Sequence, residues 1–149
     1  VIAFLVDHKA RKILHREQVV YNLTYHYAGR VDVIADFGGP LGVVDWKTGA
    51  IGSEMAIQVN AYAHGEFVGR EDGTQVRLPP IDLGYVVQLP GDGTYNAYPV
   101  EINDDHFKAF AAYRRIQKWK DEHEDGAIGE PTTNKDSSKA EEEQATTTN

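Results

Sequence analysis

The chain has 149 residues, no cysteine and a formal net charge of −8. This length is enough for one hydrophobic core, and no apolar run approaches the roughly 18 residues that a membrane-spanning helix needs. The absence of cysteine excludes disulfides, thiolate zinc sites and cysteine-ligated iron–sulfur clusters. Because the sequence also lacks a secretory signal, we expect a cytoplasmic protein.

The first half of the chain predicts three successive strands. One is expected over His15 to Leu23, and two further apolar runs cover 31–37 and 41–44. The residues Gly38-Gly39-Pro40 separate these two runs. A Gly-rich stretch between two apolar runs is typical of a hairpin connection, so the second and third strands are expected to be antiparallel neighbours.

This hairpin brings acidic and basic side chains together. If the turn centres on Gly38-Gly39, Asp32 lies opposite Asp45, and if it centres one residue later, Asp32 lies opposite Lys47. Strand alternation places Asp45 and Lys47 on one face of their strand, and Arg30 and Asp32 on one face of theirs. Both registers therefore predict a cluster of two carboxylates and a lysine.

Two carboxylates held close together in a partly buried site repel each other unless a cation lies between them. Oxygen ligands favour hard ions such as Mg²⁺ or Mn²⁺, so Asp32 and Asp45 are the predicted metal ligands. The ammonium of Lys47 can orient an attacking water, lower its effective pKa, or neutralise charge in the transition state. These residue types are the ones that metal-assisted phosphodiester hydrolysis requires.

A helix is predicted over Glu54 to Phe67, because the sequence contains no Gly or Pro until Gly65 and Ser53 is a suitable N-cap. Gln58 and Tyr62 are four residues apart and would share one face of this helix. Packed over the hairpin, that face would present an amide and a phenol to the substrate. We expect both residues to position the substrate rather than perform chemistry.

Further strands are predicted over 82–89 and 95–102, followed by a helix over 104–124 that would close a domain spanning residues 1–125. From Gly126 onward, Ile128 is the one aliphatic residue larger than Ala. Such a segment cannot bury a core, and 126–149 is therefore predicted to be a disordered acidic tail rich in Thr and Glu.

The order and spacing of these motifs resemble those of the RecB-like exonuclease branch of the PD-(D/E)XK nuclease superfamily, which includes phage exonucleases and CRISPR-associated adaptation nucleases. The matching residues are Gly29, Asp32, Asp45, Lys47, Gln58 and Tyr62. The resemblance implies an α/β fold, with a mixed central β-sheet flanked by helices in a restriction-endonuclease-like core. It also implies a DNA substrate and a Mg²⁺ or Mn²⁺ cofactor.

The resemblance extends the predicted site. It implies that the main-chain carbonyl of Trp46 binds the metal together with the two aspartates, and that Glu17 is a further acidic residue of the catalytic group. Arg30 is predicted to bind substrate alongside the helix residues. Members of this family usually carry a metal-binding His on an upstream helix, which His8 matches poorly. We therefore expect the N-terminal helices of the family to lie outside this chain.

The acidic net charge is unusual for a DNA enzyme, because phosphate contacts usually require basic residues. Residues 126–149 contribute five acidic and two basic groups, or −3 of the −8. Basic residues cluster at two places, namely Lys9, Arg11, Lys12 and Arg16, and then Arg114, Arg115, Lys118 and Lys120. Either cluster can follow a DNA backbone, or simply be a solvated helix face.

The sequence favours a metal-dependent DNA exonuclease of recombination, repair or phage replication, located in the host cytoplasm if phage-encoded. A helicase or recombinase partner is compatible with this prediction. Two alternatives remain open at this point. One is an endonuclease of the same superfamily, of the restriction or junction-resolving type, and the other is a nonhydrolytic DNA-binding or scaffold subunit.

Overall fold

A computed structural model of the chain describes residues 2–133 and residue 143. The described residues form a mixed α/β fold with three helices and seven strands. In chain order these are α1 (Ile2–Asp7), β1 (Lys12–Asn22), β2 (Tyr27–Asp36), β3 (Leu41–Lys47), α2 (Glu54–Ala63), β4 (Phe67–Gly69), β5 (Gln75–Arg77), β6 (Leu83–Gln88), β7 (Asn96–Val100) and α3 (Asp104–His123). The predicted fold class is confirmed.

The strands form one mixed sheet in the order β5-β4-β1-β2-β3-β6-β7. All neighbouring pairs are antiparallel except β3 and β6, which are parallel. A parallel pair needs a long crossover connection, and here it contains α2 together with the short strands β4 and β5. The crossover carries α2 across one face of the sheet, next to β3 and β6.

The sheet lies between two apolar layers. On the α2 side, Ile34 and Val43 of the hairpin pack in one cluster with Val59 of α2, and all three are fully buried. On the other side, Phe4 of α1 is fully buried against Val44 and its neighbours. The alternation of apolar residues along β3 thus serves both layers, because successive side chains point to opposite faces.

The hairpin turn fixes the register of β2 and β3. The Asp36 carboxylate accepts hydrogen bonds from the backbone N–H groups of Gly38 (2.7 Å) and Gly39 (2.8 Å). Both glycines have positive φ, at 98° and 134°, a conformation that residues with a Cβ rarely adopt. These backbone hydrogen bonds hold the pKa of the Asp36 carboxyl below its usual value of 3.8.

We expect Asp36→Ala to lower the stability of the fold in a pH-dependent way. Because the pKa of Asp36 is lowered in the folded state, its ionised form stabilises the protein above pH 3.8, and this contribution is lost as the pH falls through the folded-state pKa. Urea unfolding should show a larger difference between parent and variant at pH 6 than at pH 3. The exposed Asp82 provides the control variant, Asp82→Ala. A difference that does not change with pH would contradict this account of the turn.

Three elements were not predicted, namely α1, β4 and β5, each six residues or shorter. The helix predicted over Glu54 to Phe67 ends at Ala63, and Phe67 begins β4. Just after this end the chain passes close to β1, and a Cβ on Gly65 would lie 2.0 Å from Val20. Ser53 precedes α2 as predicted, but its side chain makes no capping hydrogen bond.

The chain divides into two compact units, Val1–Arg115 and Ile116–Asn149. The first contains the whole sheet, α1, α2 and the first turns of α3. In the second, Trp119 stacks on His123 with ring centroids 5.0 Å apart. Most of the predicted tail, 126–149, lies outside the described residues. None of the helices in the described part of the chain combines the length and apolarity needed to cross a membrane.

Candidate functional site

The hairpin brings Asp32 and Asp45 to neighbouring positions on β2 and β3. The backbone pairing of these strands ends at Val33 and Val44. Continuing the register by one residue places Asp32 opposite Asp45. This is the first of the two registers that the sequence allowed. Beyond that pair, Asp32 Oδ2 accepts a hydrogen bond from the backbone N–H of Trp46 at 2.8 Å. The carboxylate therefore bridges the strands where their backbone pairing stops.

Asp45 is a buried carboxylate with one incompletely satisfied oxygen. Its residue is 3% exposed, and Lys47 Nζ lies 2.8 Å from its Oδ2 in an ion pair. Apart from this contact with Lys47, Oδ2 has no hydrogen-bond partner among the described residues. Burial raises the pKa of the Asp45 carboxyl, the Lys47 ammonium opposes this rise, and the nearby Asp32 carboxylate adds to it. Such a buried oxygen is suited to an additional cation.

Lys47 is connected to α2 through side-chain hydrogen bonds. Its Nζ donates to Gln58 Oε1 at 3.1 Å, and Gln58 Nε2 donates to the Tyr62 hydroxyl at 3.0 Å. The i, i+4 spacing on α2 makes the second contact possible. The structure thus brings together five of the predicted site residues: Asp32, Asp45, Lys47, Gln58 and Tyr62.

Gly29 makes room for Tyr62. A Cβ built on Gly29 would lie 3.0 Å from Tyr62 Cε1, so a larger residue on β2 would push against the ring. Burial raises the pKa of the Tyr62 hydroxyl, and the Asp45 and Asp32 carboxylates contribute to this rise. Tyr62 is therefore neutral at physiological pH and close enough to both aspartates to be affected by their charge. The glycine of the predicted motif has a steric role at the site.

The backbone of Trp46 points toward the same space. In the parallel pair of β3 with β6, the Lys47 carbonyl accepts a hydrogen bond from Leu89 N at 2.8 Å. Since successive residues direct their backbone groups to opposite sides of a strand, the Trp46 carbonyl points toward β2. The Trp46 ring packs on the α1 side, 5.8 Å from the Phe4 ring in an edge-on arrangement, so this side chain faces away from the site.

The residues that could hold a metal are therefore Asp32, Asp45 and the Trp46 carbonyl. In the described part of the chain, no group of three or more His, Asp or Glu side chains is arranged to hold a metal ion. Mg²⁺ is commonly held by one or two carboxylates, with waters and substrate phosphate completing its shell. The buried Asp45 carboxylate opposite Asp32 fits such a ligand set. The donor set present is thus compatible with Mg²⁺ or Mn²⁺.

The backbone of Glu17 lies next to Asp32, but its side chain does not contact the cluster. Arg16 pairs with Val33 and Gln18 with Val31, so the register places Glu17 opposite Asp32. Its side chain is exposed, and it makes no hydrogen bond or ion pair among the described residues. Its φ is +51°, which is unusual for a residue with a Cβ and costs backbone energy. Its predicted catalytic role remains a prediction.

Arg30 does not share a face with the cluster, contrary to the expectation from simple alternation. It pairs with Val19, which is 45% exposed, whereas the adjacent Gly29 faces Tyr62 on the α2 side. The alternation of side chains breaks in the middle of β2. Val31 and Ile34 are three residues apart and should face opposite sides, yet both belong to the apolar cluster on the α2 side. The break lies across from Glu17 and its positive φ. A local irregularity of this kind reverses the facing of residues on one side of it.

His8 is not part of the site. Its ring packs against Phe4 and Tyr85 on the α1 side of the sheet, with centroids 4.1 and 5.4 Å away, and its Nδ1 lies 3.0 Å from the Phe4 carbonyl oxygen. The site faces α2, on the other side. This agrees with the poor match of His8 to the metal-binding His of the resembled family.

A cavity of about 390 Å³ adjoins the cluster, and the sequence did not predict it. Gln58 and Tyr62 line it, together with Ile57 on α2 and the aromatic residues Phe110 and Tyr113 on α3. Tyr113 is 61% exposed, although it is a large ring. The only sequence signal was the i, i+3 spacing of Phe107, Phe110 and Tyr113 on the predicted helix.

No protein-family model matches the sequence, and a search of curated proteins finds no significant match.

Proposed function

We propose that the chain is a metal-dependent DNA nuclease of the PD-(D/E)XK type, acting as an exonuclease. The observation that carries this proposal is the pairing of Asp32 with the buried Asp45 carboxylate, 3% exposed, beside the ammonium of Lys47. This constellation supports metal-assisted phosphodiester hydrolysis better than a purely structural role. A carboxylate pair in a partly buried site costs folding energy unless a ligand uses it.

Asp32, Asp45 and the Trp46 carbonyl would hold the metal. When bound, a divalent ion polarises a phosphoryl oxygen and acidifies a bound water. The chain's own residues supply the remaining functions. The Lys47 side chain is 26% exposed, so its ammonium can contact a substrate phosphate while it remains beside Asp45. There it stabilises negative charge that develops on the phosphate during attack.

Gln58 and Tyr62 act as positioning residues for the lysine. The Gln58 carbonyl oxygen accepts from Lys47, and its amide nitrogen donates to the Tyr62 hydroxyl, which fixes both ends of the amide. A flexible lysine loses side-chain entropy when it is held in one geometry. Because these hydrogen bonds form during folding, that entropy is already lost before the substrate binds. The ammonium is therefore already oriented before the substrate arrives.

Basic residues near the hairpin support a DNA substrate. Arg11, Lys12 and Arg16 are exposed at the start of β1, and the register places Lys12 opposite Asp36 and Arg16 opposite Val33. They follow the strand that carries Asp32. Contacts from such residues to phosphates provide affinity without sequence specificity, and they make that affinity depend on salt.

The test compares end-labelled linear DNA with covalently closed circular DNA, each incubated with the protein in Mn²⁺ or in EDTA. We expect metal-dependent degradation of the linear DNA alone, and no degradation by Asp45→Asn. The exposed Asp82 gives the matched control Asp82→Asn, which should cleave as the parent does.

Other results of this assay would change the proposal. Cutting of the closed circles would indicate an endonuclease. DNA binding without cleavage would indicate a nonhydrolytic subunit, and cleavage that survives in Asp45→Asn would contradict the assigned site.

A further inference from the structure

The cavity beside the site has a composition that distinguishes it from the catalytic cluster. Its walls are formed by the start of β2, one face of α2 and the first turns of α3. Tyr27, Ile57 and Ala61 contribute apolar surface, and Phe110 and Tyr113 contribute aromatic rings. The volume of about 390 Å³ is within the range of small-molecule sites.

The cavity is continuous with the proposed catalytic group. Gln58 and Tyr62 line it, and the same two side chains form the hydrogen-bonded link that ends at Lys47. A nucleotide whose phosphate contacts Lys47 would therefore have this cavity beside it. This continuity indicates that the occupant is part of the same substrate.

The charges around the cavity disfavour a phosphate as the occupant. Glu54, at the first turn of α2, is the one charged residue among those described as lining it, and no Lys or Arg lines it. A phosphate placed there would be repelled by the carboxylate and would lack a basic partner. A flat and uncharged aromatic ring fits these walls, because apolar and aromatic side chains stabilise it by burial and stacking.

We propose that this cavity binds a single unstacked nucleobase of the DNA strand whose phosphate lies at Asp45 and Lys47. The proposal rests on the proposed nuclease function and specifies its substrate. Tyr113 is the main stacking surface, since its exposed ring can meet a base without rearranging the core. Phe110 is anchored instead, with its ring 4.7 Å from that of Tyr27.

The preferred substrate follows from this subsite. A base that enters the cavity must leave its stack, and unpairing costs energy in a duplex but little in a single strand. The protein should therefore prefer single-stranded or frayed ends to blunt duplex ends. The cavity accepts a base by shape and stacking, which every base can satisfy, so little sequence preference is expected.

The test is an abasic scan of binding. Fluorescence anisotropy measures the affinity of the full chain in EDTA for a labelled oligothymidylate and for versions in which one position at a time lacks its base. One abasic position should weaken binding by about tenfold, the usual size of a single stacking contact. Tyr113→Ala should bind the intact strand as weakly as the parent binds that abasic strand, and should lose the positional effect.

Two control variants separate stacking from general effects. Tyr113→Phe keeps the ring and should behave as the parent. Tyr98→Ala removes a tyrosine that is 41% exposed on β7 and does not line the cavity, and it should also behave as the parent. Circular dichroism confirms that each variant is folded, which is expected because Tyr113 and Tyr98 are both substantially exposed.

The outcomes distinguish this proposal from the nuclease proposal. A flat abasic scan, or a positional effect that Tyr113→Ala leaves unchanged, overturns the base subsite while metal-dependent cleavage can still stand. A positional effect that Tyr113→Ala removes, in a protein that never cleaves, supports the subsite and overturns hydrolysis. Failure to bind any oligonucleotide in EDTA overturns the base subsite, and the cleavage assay in Mn²⁺ then decides the nuclease proposal separately.

Discussion

Replacing Asp45 by asparagine should abolish metal-dependent cleavage and at the same time stabilise the protein in the absence of divalent metal. The loss of cleavage should be about 10³-fold or more, because the metal contributes several kcal/mol of transition-state stabilisation and each ~1.4 kcal/mol is worth tenfold in rate. Most substitutions at buried positions destabilise a fold. A gain in stability at a residue that is 3% exposed would therefore be informative.

The stability gain follows from the raised pKa of Asp45. Burial makes the ionised form unfavourable in the folded state, and asparagine has nearly the same shape without the charge. Lys47 loses its partner in the variant, but its side chain is 26% exposed and water can solvate the ammonium. The cost of an unpaired lysine is therefore smaller than it would be in a closed interior.

The pH dependence of this effect has a definite sign. Because the folded-state pKa of Asp45 lies above its usual value of 3.8, the parent bears no ionisation penalty below that value and the full penalty above the folded-state pKa. The advantage of Asp45→Asn in EDTA should thus grow as the pH rises through this window and then remain constant. Urea unfolding at pH 4 and pH 7 measures it.

Thermal melting with and without Mg²⁺ completes the test. A ligand that binds only the folded state raises the melting temperature, so the parent and the Asp82→Asn control should gain stability from Mg²⁺. Asp45→Asn should gain little or none. If Asp45→Asn gains as much as the parent does, the metal binds elsewhere and Asp45 is not its ligand.

The sequence predicted the hairpin and its cluster well because the signals there are local. Gly38 and Gly39 permit the turn, and the alternation of β3 places Asp45 and Lys47 on one face. The choice between the two registers was not available from the sequence. It depends on a turn of definite geometry, in which the Asp36 carboxylate binds two successive backbone N–H groups.

The position of Arg30 was predicted wrongly because alternation was assumed to be unbroken along β2. The break between Val31 and Ile34 lies across from a residue of the neighbouring strand, Glu17, whose φ is positive. Glu is not a residue that usually marks such a conformation, so the sequence offers no warning. The irregular backbone of Glu17 lies opposite the break that separates Arg30 from Asp32.

The cavity was missed for a different reason. Its walls come from β2, α2 and α3, which are distant in the sequence, and the packing that brings them together is tertiary. The buried Tyr27 hydroxyl donates to the Ala61 carbonyl at 2.8 Å, and Phe107 of α3 packs in the same cluster. The pattern of apolar residues within one helix or strand does not predict that these three elements pack against one another.

Replacing Lys47 by alanine should separate catalysis from binding. The ammonium is the one cation in the hydrogen-bonded group formed with Asp45, Gln58 and Tyr62, and removing it should slow cleavage by about 10²- to 10³-fold, as for other charge-stabilising donors. Both aspartates remain, so the stabilisation by Mg²⁺ should persist. DNA affinity in EDTA should fall only slightly.

The cleavage rate, the Mg²⁺-dependent melting shift and the DNA affinity are therefore measured on the same preparation of Lys47→Ala. Lys108→Ala, at an exposed position on α3, is the control for loss of one positive charge. Gln58→Leu should show a weaker form of the same defect, because Lys47 remains but loses the acceptor that holds it. A Lys47→Ala protein with the parental rate would remove the lysine from the mechanism. Loss of the Mg²⁺ shift in that variant would instead assign Lys47 to the integrity of the metal site, because chemistry and metal binding would then fail together.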